Sequence, residues 1–282
     1  MNSDQNNVFN DPEVSARFQR DGFIVLDLLS TREIELLHAI FEQVEHRHPS
    51  GFSATLLDRD LAQRQRTHAA IVQVVSPSVQ RAFRDYRIVF AGFVVKRPSD
   101  GPDEMPLHQD ISLVNAQSRP GISLWAPLVD VDEANGCLQV VAGSARLNPH
   151  PRAPGTRFCG TPVEPEIRRH YLQSIPMRAG QVIAMDQATS HSSASNGSGR
   201  IRPVAACVLI PCESTLMYYH RTPVETGVML EGFEVGDGFL LEHQMGTRPV
   251  TGQPVTVVPE VIPLLTAQTL RELLPGANMP SA

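Results

Sequence analysis

The sequence predicts a mainly β protein with flanking helices, arranged as a β-sandwich or barrel. Short apolar runs rich in Val, Ile and Ala fill the middle of the chain, at 88–95, 122–129, 137–141, 180–185 and 204–210. Turn sequences such as Ala134-Asn135-Gly136 separate these runs, as expected of consecutive short strands. No glycine-rich phosphate loop follows any run, which disfavours a nucleotide-binding βαβ architecture.

Helices are predicted before and after this β-rich region. Residues 11–13 (Asp-Pro-Glu) are typical of a helix start, and Gly22 predicts its end before a strand at 23–26. Ser30 and Glu33 have the spacing of a capping box. The helix that follows has an apolar face formed by Ile34, Leu37, Phe41 and Val44. A closing helix is predicted at 264–274.

Composition limits the possible partners and the compartment. The 282 residues are 41% apolar and 19% charged, and no repeat or linker divides them, so we expect one domain over residues 1–282. The net charge of −6, with dispersed basic residues, disfavours a nucleic-acid partner. No apolar run approaches the roughly 20 residues that span a bilayer. Because residues 1–10 do not resemble a signal peptide, we expect a cytoplasmic protein without a membrane partner.

The cysteines carry no sign of a metal or redox motif. The four of them show no CxxC spacing, which argues against a zinc knuckle. Two lie inside apolar runs, where a cysteine is usually a small core residue, and these are Cys137 and Cys207.

Three long stretches, near 49–70, 146–176 and 211–250, show no regular pattern. Irregular segments of this length in a compact domain are usually lids or binding loops, so we expect lids over the mouth of the sandwich or barrel. The second stretch contains Arg146, Arg152 and Arg157, which are either solvated loop charges or contacts for an acidic substrate. The third contains Tyr218, Tyr219 and His220, which are either pocket residues or loop packing.

A candidate metal site begins with the pair His108 and Asp110. In an extended segment, residues two apart point to the same side, so these side chains can converge on one point. His191 follows the predicted strand at 180–185, and antiparallel pairing could bring it to the same place. Two neutral imidazoles and one carboxylate suit iron(II) and leave adjacent coordination positions open for a 2-oxo acid and dioxygen.

An arginine after His191 offers a partner for a carboxylate. Arg200 and Arg202 lie at the entry of the run at 204–210. An arginine there can bind a carboxylate, such as the far carboxylate of 2-oxoglutarate, through two parallel hydrogen bonds. The residues alone leave open which arginine does so and whether both are solvated turn residues.

In addition, the chain from about 18 to 210 resembles the phytanoyl-CoA dioxygenase-like family of Fe(II)/2-oxoglutarate-dependent oxygenases. The matching blocks occur in family order, at 18–25, 96–98, 108–110, 125–130, 135–144 and 191–202. The last block has the family's spacing of histidine, asparagine and arginine, at His191, Asn196 and Arg202. One departure is Ala145, where the family commonly has histidine; this position bears on substrate contacts rather than on the metal.

The resemblance implies a double-stranded β-helix (jelly-roll, cupin-like) fold and the cofactors Fe(II), 2-oxoglutarate and O2. It implies that His108, Asp110 and His191 hold the metal. It further implies that Arg202 rather than Arg200 binds the co-substrate. Additional co-substrate contacts are implied at Gln109, Trp125, Ser193 and Lys96.

The predicted activity is hydroxylation of an aliphatic carbon in a small metabolite or natural-product intermediate, with 2-oxoglutarate converted to succinate and CO2. A cupin-type metalloenzyme, an isomerase or hydrolase that does not use 2-oxoglutarate, is the alternative. A metal-free binding protein on the same scaffold is a second. A coenzyme A thioester substrate is disfavoured, because the sequence has no concentrated basic site for its phosphates. The sequence identifies neither the substrate nor an oligomeric state.

Overall fold

The computed structural model describes residues 7–44, 51–98, 103–115, 119–250 and 252–274. Residues 1–6, part of the segment compared with a signal peptide, lie outside these ranges. The strands are β1 Phe23–Asp27, β2 Gly51–Ala54, β3 Tyr86–Arg97, β4 Met105–His108, β5 Ile122–Pro127, β6 Leu138–Val141, β7 Leu172–Ile175, β8 Gln181–Asp186, β9 His191–Ser193, β10 Arg202–Pro211, β11 Leu216–Val224, β12 Gly227–Val235 and β13 Thr256–Pro259. The helices are α1 Pro12–Asp21, α2 Thr31–Val44, α3 Leu61–Ala82, α4 Glu164–His170, α5 Phe239–Glu242 and α6 Ala267–Leu273.

The described strands form three antiparallel sheets. The largest, here called the major sheet, has the order β1-β8-β5-β10-β3-β2. A four-stranded minor sheet has the order β4-β9-β6-β7, and β11-β12-β13 form a separate third sheet. The fold is therefore a jelly-roll of facing sheets with flanking helices, and the strands do not close into one barrel. The predicted fold class and the five predicted strands are confirmed.

Local sequence explains the helix boundaries. The Asp11 carboxylate accepts hydrogen bonds from the backbone N–H of Glu13 and Val14, and Gly22 ends α1 with a φ of 78°, a conformation that favours glycine. Ser30 and Glu33 form the predicted capping box, with the Ser30 N–H 2.8 Å from the Glu33 carboxylate and the Glu33 N–H 3.3 Å from the Ser30 hydroxyl. No helix within the described residues is long and apolar enough to cross a membrane.

Strand alternation places a separate core on each face of the major sheet. Side chains on one face of the major sheet, such as Phe93 and Ala205, pack against the apolar faces of α1, α2 and α3. Side chains on its other face, such as Trp125 and Val204, face the minor sheet and pack against Leu138. Cys207 lies in the first core and Cys137 in the second, as predicted for buried thiols. The face toward the minor sheet is the one that can hold a ligand between the sheets.

The expectation of three irregular stretches was wrong. The first contains β2 and the start of α3, the second contains α4 and β7, and the third forms β11, β12 and α5. α3 was obscured by Pro77 within it and by its many polar residues. β11 begins with four consecutive buried residues, so the alternation that marks a strand is absent from its sequence.

Tyr218 and Tyr219 serve packing rather than the cavity described below. Tyr218 is fully buried against Phe239 and His243. Its hydroxyl donates to the Thr247 carbonyl at 3.1 Å and accepts from the Gly246 N–H at 3.0 Å. Tyr219 belongs to a small core with Met217. His220, on the same strand, is only partly buried.

The buried side chain of Arg64 connects three segments of the chain. Its side chain is fully buried in α3, and Nη1 donates to the carbonyls of Leu240 at 3.1 Å and His243 at 2.8 Å. Nη2 donates to the carbonyl of Asp58. These carbonyls belong to the two segments that flank α3 in space, so one guanidinium holds both against the helix.

We expect Arg64→Met to lower the free energy of unfolding by about 2–4 kcal/mol, because three buried carbonyls lose their donor. Urea denaturation followed by circular dichroism measures this. Arg66→Met is the matched control, since Arg66 is exposed on the same helix and bonds only to Gln63. Equal stability of the two variants would show that the buried contacts contribute little.

Candidate metal centre and adjoining cavity

The minor sheet brings two histidines face to face. His108 ends β4, His191 begins β9, and the two residues are direct partners in the antiparallel pairing. Their ring centroids are 4.2 Å apart. Side chains opposite one another in a sheet project to the same face, so both imidazoles point toward the space between the sheets.

Asp110 completes the cluster. Its Oδ1 lies 3.8 Å from Nε2 of His108 and 3.9 Å from Nε2 of His191. One ligand atom from each of the three residues lies within 4.8 Å of the others. The predicted convergence of His108, Asp110 and His191 is therefore present in the structure, and an ion can be placed between the three.

Neighbouring groups orient each of these side chains. Nδ1 of His108 lies 2.7 Å from the Pro106 carbonyl, and Nδ1 of His191 lies 2.9 Å from the Thr189 carbonyl. A carbonyl can only accept, so Nδ1 carries the proton in each ring and Nε2 presents a lone pair to the centre. The Ser123 hydroxyl donates to Asp110 Oδ2 at 2.6 Å, which leaves Oδ1 facing the histidines.

Electrostatics favours the protonation states that bind a cation. Desolvation and the neighbouring His191 lower the pKa of His108 to about 4, so its imidazole is neutral at pH 7. Burial alone would raise the pKa of Asp110, but the two imidazoles and the Ser123 hydroxyl hold it below the usual range. The cluster thus offers Nε2 of each histidine and one carboxylate, a donor set that suits a divalent transition metal.

Arg202 lies at the same cavity, and two of its nitrogens lack a hydrogen-bond partner among the described residues. Its side chain is 1% exposed, and its Cζ sits 5.1 Å from the centre of the Trp125 ring. Among the described residues, Nε and Nη1 have no hydrogen-bond partner. Burial lowers the pKa of Arg202 to about 10, so it is still cationic at pH 7. Asp103 attracts this charge, but two buried N–H groups without an acceptor are costly and favour an anionic ligand at this position.

The cavity joins these groups. Its volume is about 230 Å³, and it is lined by all three residues of the cluster, by Arg202 and by two of the predicted contacts, Trp125 and Ser193. Arg200 is exposed, so of the two candidate arginines only Arg202 reaches the cavity. A molecule that bridges the metal position and Arg202 would need an anionic group at the arginine end.

The structure does not bring the other two predicted contacts, Lys96 and Gln109, to the cavity wall. Nζ of Lys96 donates to the carbonyls of Ser193, at 3.0 Å, and Ala194. The Gln109 amide donates to the Ala188 carbonyl at 2.6 Å. Lys96 is the cross-strand partner of Arg202, so it faces the same side of the sheet, but its charge is used to hold the chain after β9.

The sequence interpretation missed two residues that position Asp110. Ser123 lies two residues before Trp125 on β5, and this alternation could have placed it on the cavity face. Arg152, expected to be a solvated charge or a substrate contact, is buried. Its Nε donates to the Asp110 carbonyl at 2.7 Å and its Nη1 to the carbonyls of Asn148 and His150. Nothing local in the sequence marks that long-range contact.

Residues 18–204 match the protein family described as phytanoyl-CoA dioxygenase (PhyH). The chain belongs to the phytanoyl-CoA dioxygenase family. The match covers well over half of the 282 residues and includes every residue of the candidate centre. It confirms the predicted resemblance and, with it, the predicted class of enzyme, the Fe(II)/2-oxoglutarate-dependent dioxygenases.

Solved structures share the fold of this PhyH-family chain. The non-haem α-ketoglutarate-dependent carbocyclase SnoK from nogalamycin biosynthesis is 20% identical, with a TM-score of 0.56, over 88% of this chain and 96% of that one. The epimerase SnoN, in complex with Fe³⁺, α-ketoglutarate and nogalamycin RO, is 20% identical, with a TM-score of 0.55, over 88% and 94%. EctD from S. alaskensis, with 2-oxoglutarate and 5-hydroxyectoine, is 19% identical, with a TM-score of 0.50, over 73% and 78%. Comparison with curated proteins gives no significant match.

The two unpartnered nitrogens of Arg202 lead to a prediction about the stability of the protein. We expect Arg202→Met to raise the free energy of unfolding of the ligand-free protein by about 1–2 kcal/mol, because it removes a buried charge whose Nε and Nη1 have no partner among the described residues. Thermal and urea denaturation in the absence of dicarboxylates measure this. Arg152→Met is the control and should destabilise, since its guanidinium holds three carbonyls. Clear destabilisation by Arg202→Met would mean that the charge is compensated.

Proposed function

We propose that this protein hydroxylates an aliphatic carbon of a small metabolite or natural-product intermediate, using iron(II), 2-oxoglutarate and O2. His108, Asp110 and His191 hold the iron, and Arg202 binds the far carboxylate of 2-oxoglutarate. The observation that carries the proposal is the pairing, in one cavity, of the His108, Asp110 and His191 cluster with a buried guanidinium whose Nε and Nη1 lack partners among the described residues. The presence of Fe³⁺ and α-ketoglutarate in the complex of SnoN, which shares the fold, supports it.

The three ligands fit iron(II). Two histidines and one carboxylate that meet from one side leave adjacent coordination positions open. When bound there, iron(II) and 2-oxoglutarate would supply the activation of O2, so that R–H, 2-oxoglutarate and O2 give R–OH, succinate and CO2. The charge of Asp110 offsets half of the charge of the metal, and the two carbonyl-bound Nδ1–H groups keep both rings in the ligating tautomer.

Arg202 supplies binding and orientation. Its planar guanidinium can form two parallel hydrogen bonds to a carboxylate, and the pair neutralises the charge that burial makes costly. Trp125 packs against the guanidinium and limits its rotation. The hydrogen bonds from Lys96 to the Ser193 and Ala194 carbonyls hold the end of β9 near Arg202. Lys96 therefore positions the chain.

We also propose a single domain over residues 1–282 in which the stretches near 49–70, 146–176 and 211–250 act as lids. Leu56, from the first stretch, and Leu240, from the third, line the cavity. Arg152, from the second, reaches the backbone of Asp110. A lid of this kind would exclude water from the reacting groups once substrate is bound.

A cupin-type isomerase or hydrolase would use the same metal cluster without 2-oxoglutarate. In such an enzyme Arg202 would have no role, and substituting it would leave activity intact. The burial of an unpaired Arg202 at the metal cavity favours the oxygenase, because the cost of that charge needs an anionic partner. A metal-free binding protein is disfavoured by the convergence of three potential ligand atoms within 4.8 Å of one another at the cavity.

Anaerobic titration with iron(II) and then 2-oxoglutarate tests the proposal. We expect a visible metal-to-ligand charge-transfer band in the wild type and none in His108→Ala. At equal 2-oxoglutarate, Arg202→Ala should give a much weaker band, with an apparent Kd raised by about 100-fold for loss of a buried charge-assisted pair. Arg200→Ala is the matched control, because Arg200 is exposed two residues away, and it should behave as wild type.

Either of two results would contradict this assignment. Folded, iron-loaded wild type without a band would favour the cupin-type alternative. A band that is equally strong in Arg202→Ala would remove Arg202 from the 2-oxoglutarate site while leaving the metal site intact.

Ser123 gives an independent test of the metal ligands. We expect Ser123→Ala to weaken binding of Co(II), used as an air-stable substitute for iron(II), by about 10-fold, because Asp110 loses the hydroxyl that orients it. Competition with a chromophoric chelator measures the affinity. Ser76→Ala is the control, since within the described part of the chain the Ser76 hydroxyl bonds only to the Val72 carbonyl in α3. Unchanged Co(II) affinity in Ser123→Ala would argue against Asp110 as a ligand.

A further inference from the structure

The part of the cavity that lies away from Arg202 is apolar. Its walls come from β3 and β10 of the major sheet, from the residues that follow β2 and β4, and from α5. The side chains that form them are Leu56, Phe90, Leu113, Val208 and Leu240. Several belong to one core cluster that continues behind the wall, so this region is a built apolar compartment and not a surface depression.

No charge remains in this cavity for a substrate. Among its described lining residues, the ionisable side chains are those of His108, Asp110, His191 and Arg202, apart from the buried Cys207 thiol. In the proposed function, on which this inference rests, those four side chains bind iron and 2-oxoglutarate. An ammonium or carboxylate of a substrate would therefore be buried without a partner, which is strongly disfavoured.

Two small residues create the floor of the compartment. Gly92 on β3 and Ala206 on β10 are cross-strand partners, and Trp125 on β5 lies opposite Ala206 on its other side. Ala206 is partly exposed although its strand is paired on both sides, so its side chain faces the empty cavity. A larger residue at this position would project into the space where a substrate must lie.

A residue with a side chain cannot be accommodated at Gly92, in contrast to Ala206. A Cβ atom there would lie 2.7 Å from Cβ of Thr55 and 3.0 Å from the ring of Phe90. The hydroxyl of Thr55 accepts from the Phe93 N–H at 2.9 Å, which holds Thr55 close to β3. Gly92 is thus required by close packing, and Ala206 is the position of the floor at which side-chain size can set the available space.

We propose that the substrate presents an uncharged, hydrocarbon-rich framework to the metal, seated on the floor of Gly92 and Ala206. Ala206 determines how large that framework can be. Molecules that would place an amino-acid zwitterion or another charged group in this compartment are excluded. Polar substituents on the substrate would have to lie at the cavity mouth or near Ser123, Gln187 and Ser193, the uncharged polar residues of the lining.

The test uses the holoprotein, loaded anaerobically with iron(II) and saturating 2-oxoglutarate so that Arg202 is occupied. N-phenyl-1-naphthylamine, an uncharged apolar fluorophore, is titrated until its emission saturates. Two compounds of matched shape, 2-naphthamide and 2-naphthoate, are then compared as competitors. We expect one saturable site and displacement by the neutral amide at a concentration at least 10-fold lower than by the carboxylate.

Substitutions at Ala206 test whether the probe binds on the floor of the compartment. Ala206→Phe should weaken probe binding at least 10-fold and leave the 2-oxoglutarate charge-transfer band unchanged. Ala206→Val should give an intermediate loss, which keeps the test valid if the larger residue disturbs folding. Ala62→Phe, on the exposed face of α3, is the matched control and should bind the probe as wild type does.

The outcomes separate this inference from the proposed function. A normal charge-transfer band with no saturable probe site, with equal competition by the carboxylate, or with unchanged binding in both Ala206 variants, overturns the apolar substrate site alone. Absence of the band in folded, iron-loaded wild type overturns the proposed function and this inference together.

Discussion

The candidate centre depends on the register between β4 and β9. Met105 pairs with Ser193 and His108 pairs with His191, so β4 carries one more residue than β9 between these two pairs. Without that irregularity, Leu107 would stand opposite His191, and His108 would point to the other face. The inserted residue therefore places both imidazoles on the cavity side. The positions of Asp110, two residues later, and of its Ser123 partner are useful only because this register is kept.

Three of the four arginines that are buried among the described residues show how the protein treats charge in its interior. Arg64 and Arg152 are surrounded by backbone carbonyls, which stabilise a guanidinium and fix the segments that carry them. Arg202 has an aromatic ring beside it, but two of its nitrogens lack a partner within the described part of the chain. The difference is one of degree: among the described residues Arg64 leaves only Nε without a partner, whereas Arg202 leaves both Nε and Nη1, and burial alone would not make that distinction.

Much of this protein could be predicted from its sequence, because the decisive signals are local. The cap of α1, the capping box of α2 and the apolar runs that became β3, β5, β6, β8 and β10 depend on residues close together in the chain. The cluster of His108, Asp110 and His191 followed from strand geometry and from an ordered set of motifs. The family match covers those motifs, although the role of each residue in them is still to be tested.

The features that were not predicted have a common physical cause. They depend on long-range contacts, which the local sequence does not show. β11 is covered on both faces at its start, so it lacks alternation, and α3 contains a proline that suggests a break. Arg152 resembles a loop charge until the fold places the Asp110 carbonyl beside it. Lys96 and Gln109 lie in the expected segments and bond to backbone carbonyls, and their contact with the co-substrate stays a prediction.

The order of the ligands along the chain has a consequence for synthesis in the cell. His108 and Asp110 leave the ribosome long before His191, and Arg202 follows shortly after that. A nascent or prematurely terminated chain that lacks β9 holds only two of the three candidate ligands, and it also lacks the partner strand that orients His108. Such a chain cannot assemble the full cluster. If the cluster binds iron as proposed, any iron-dependent oxidation, with the damage it could cause to the polypeptide itself, is confined to chains that already contain β9.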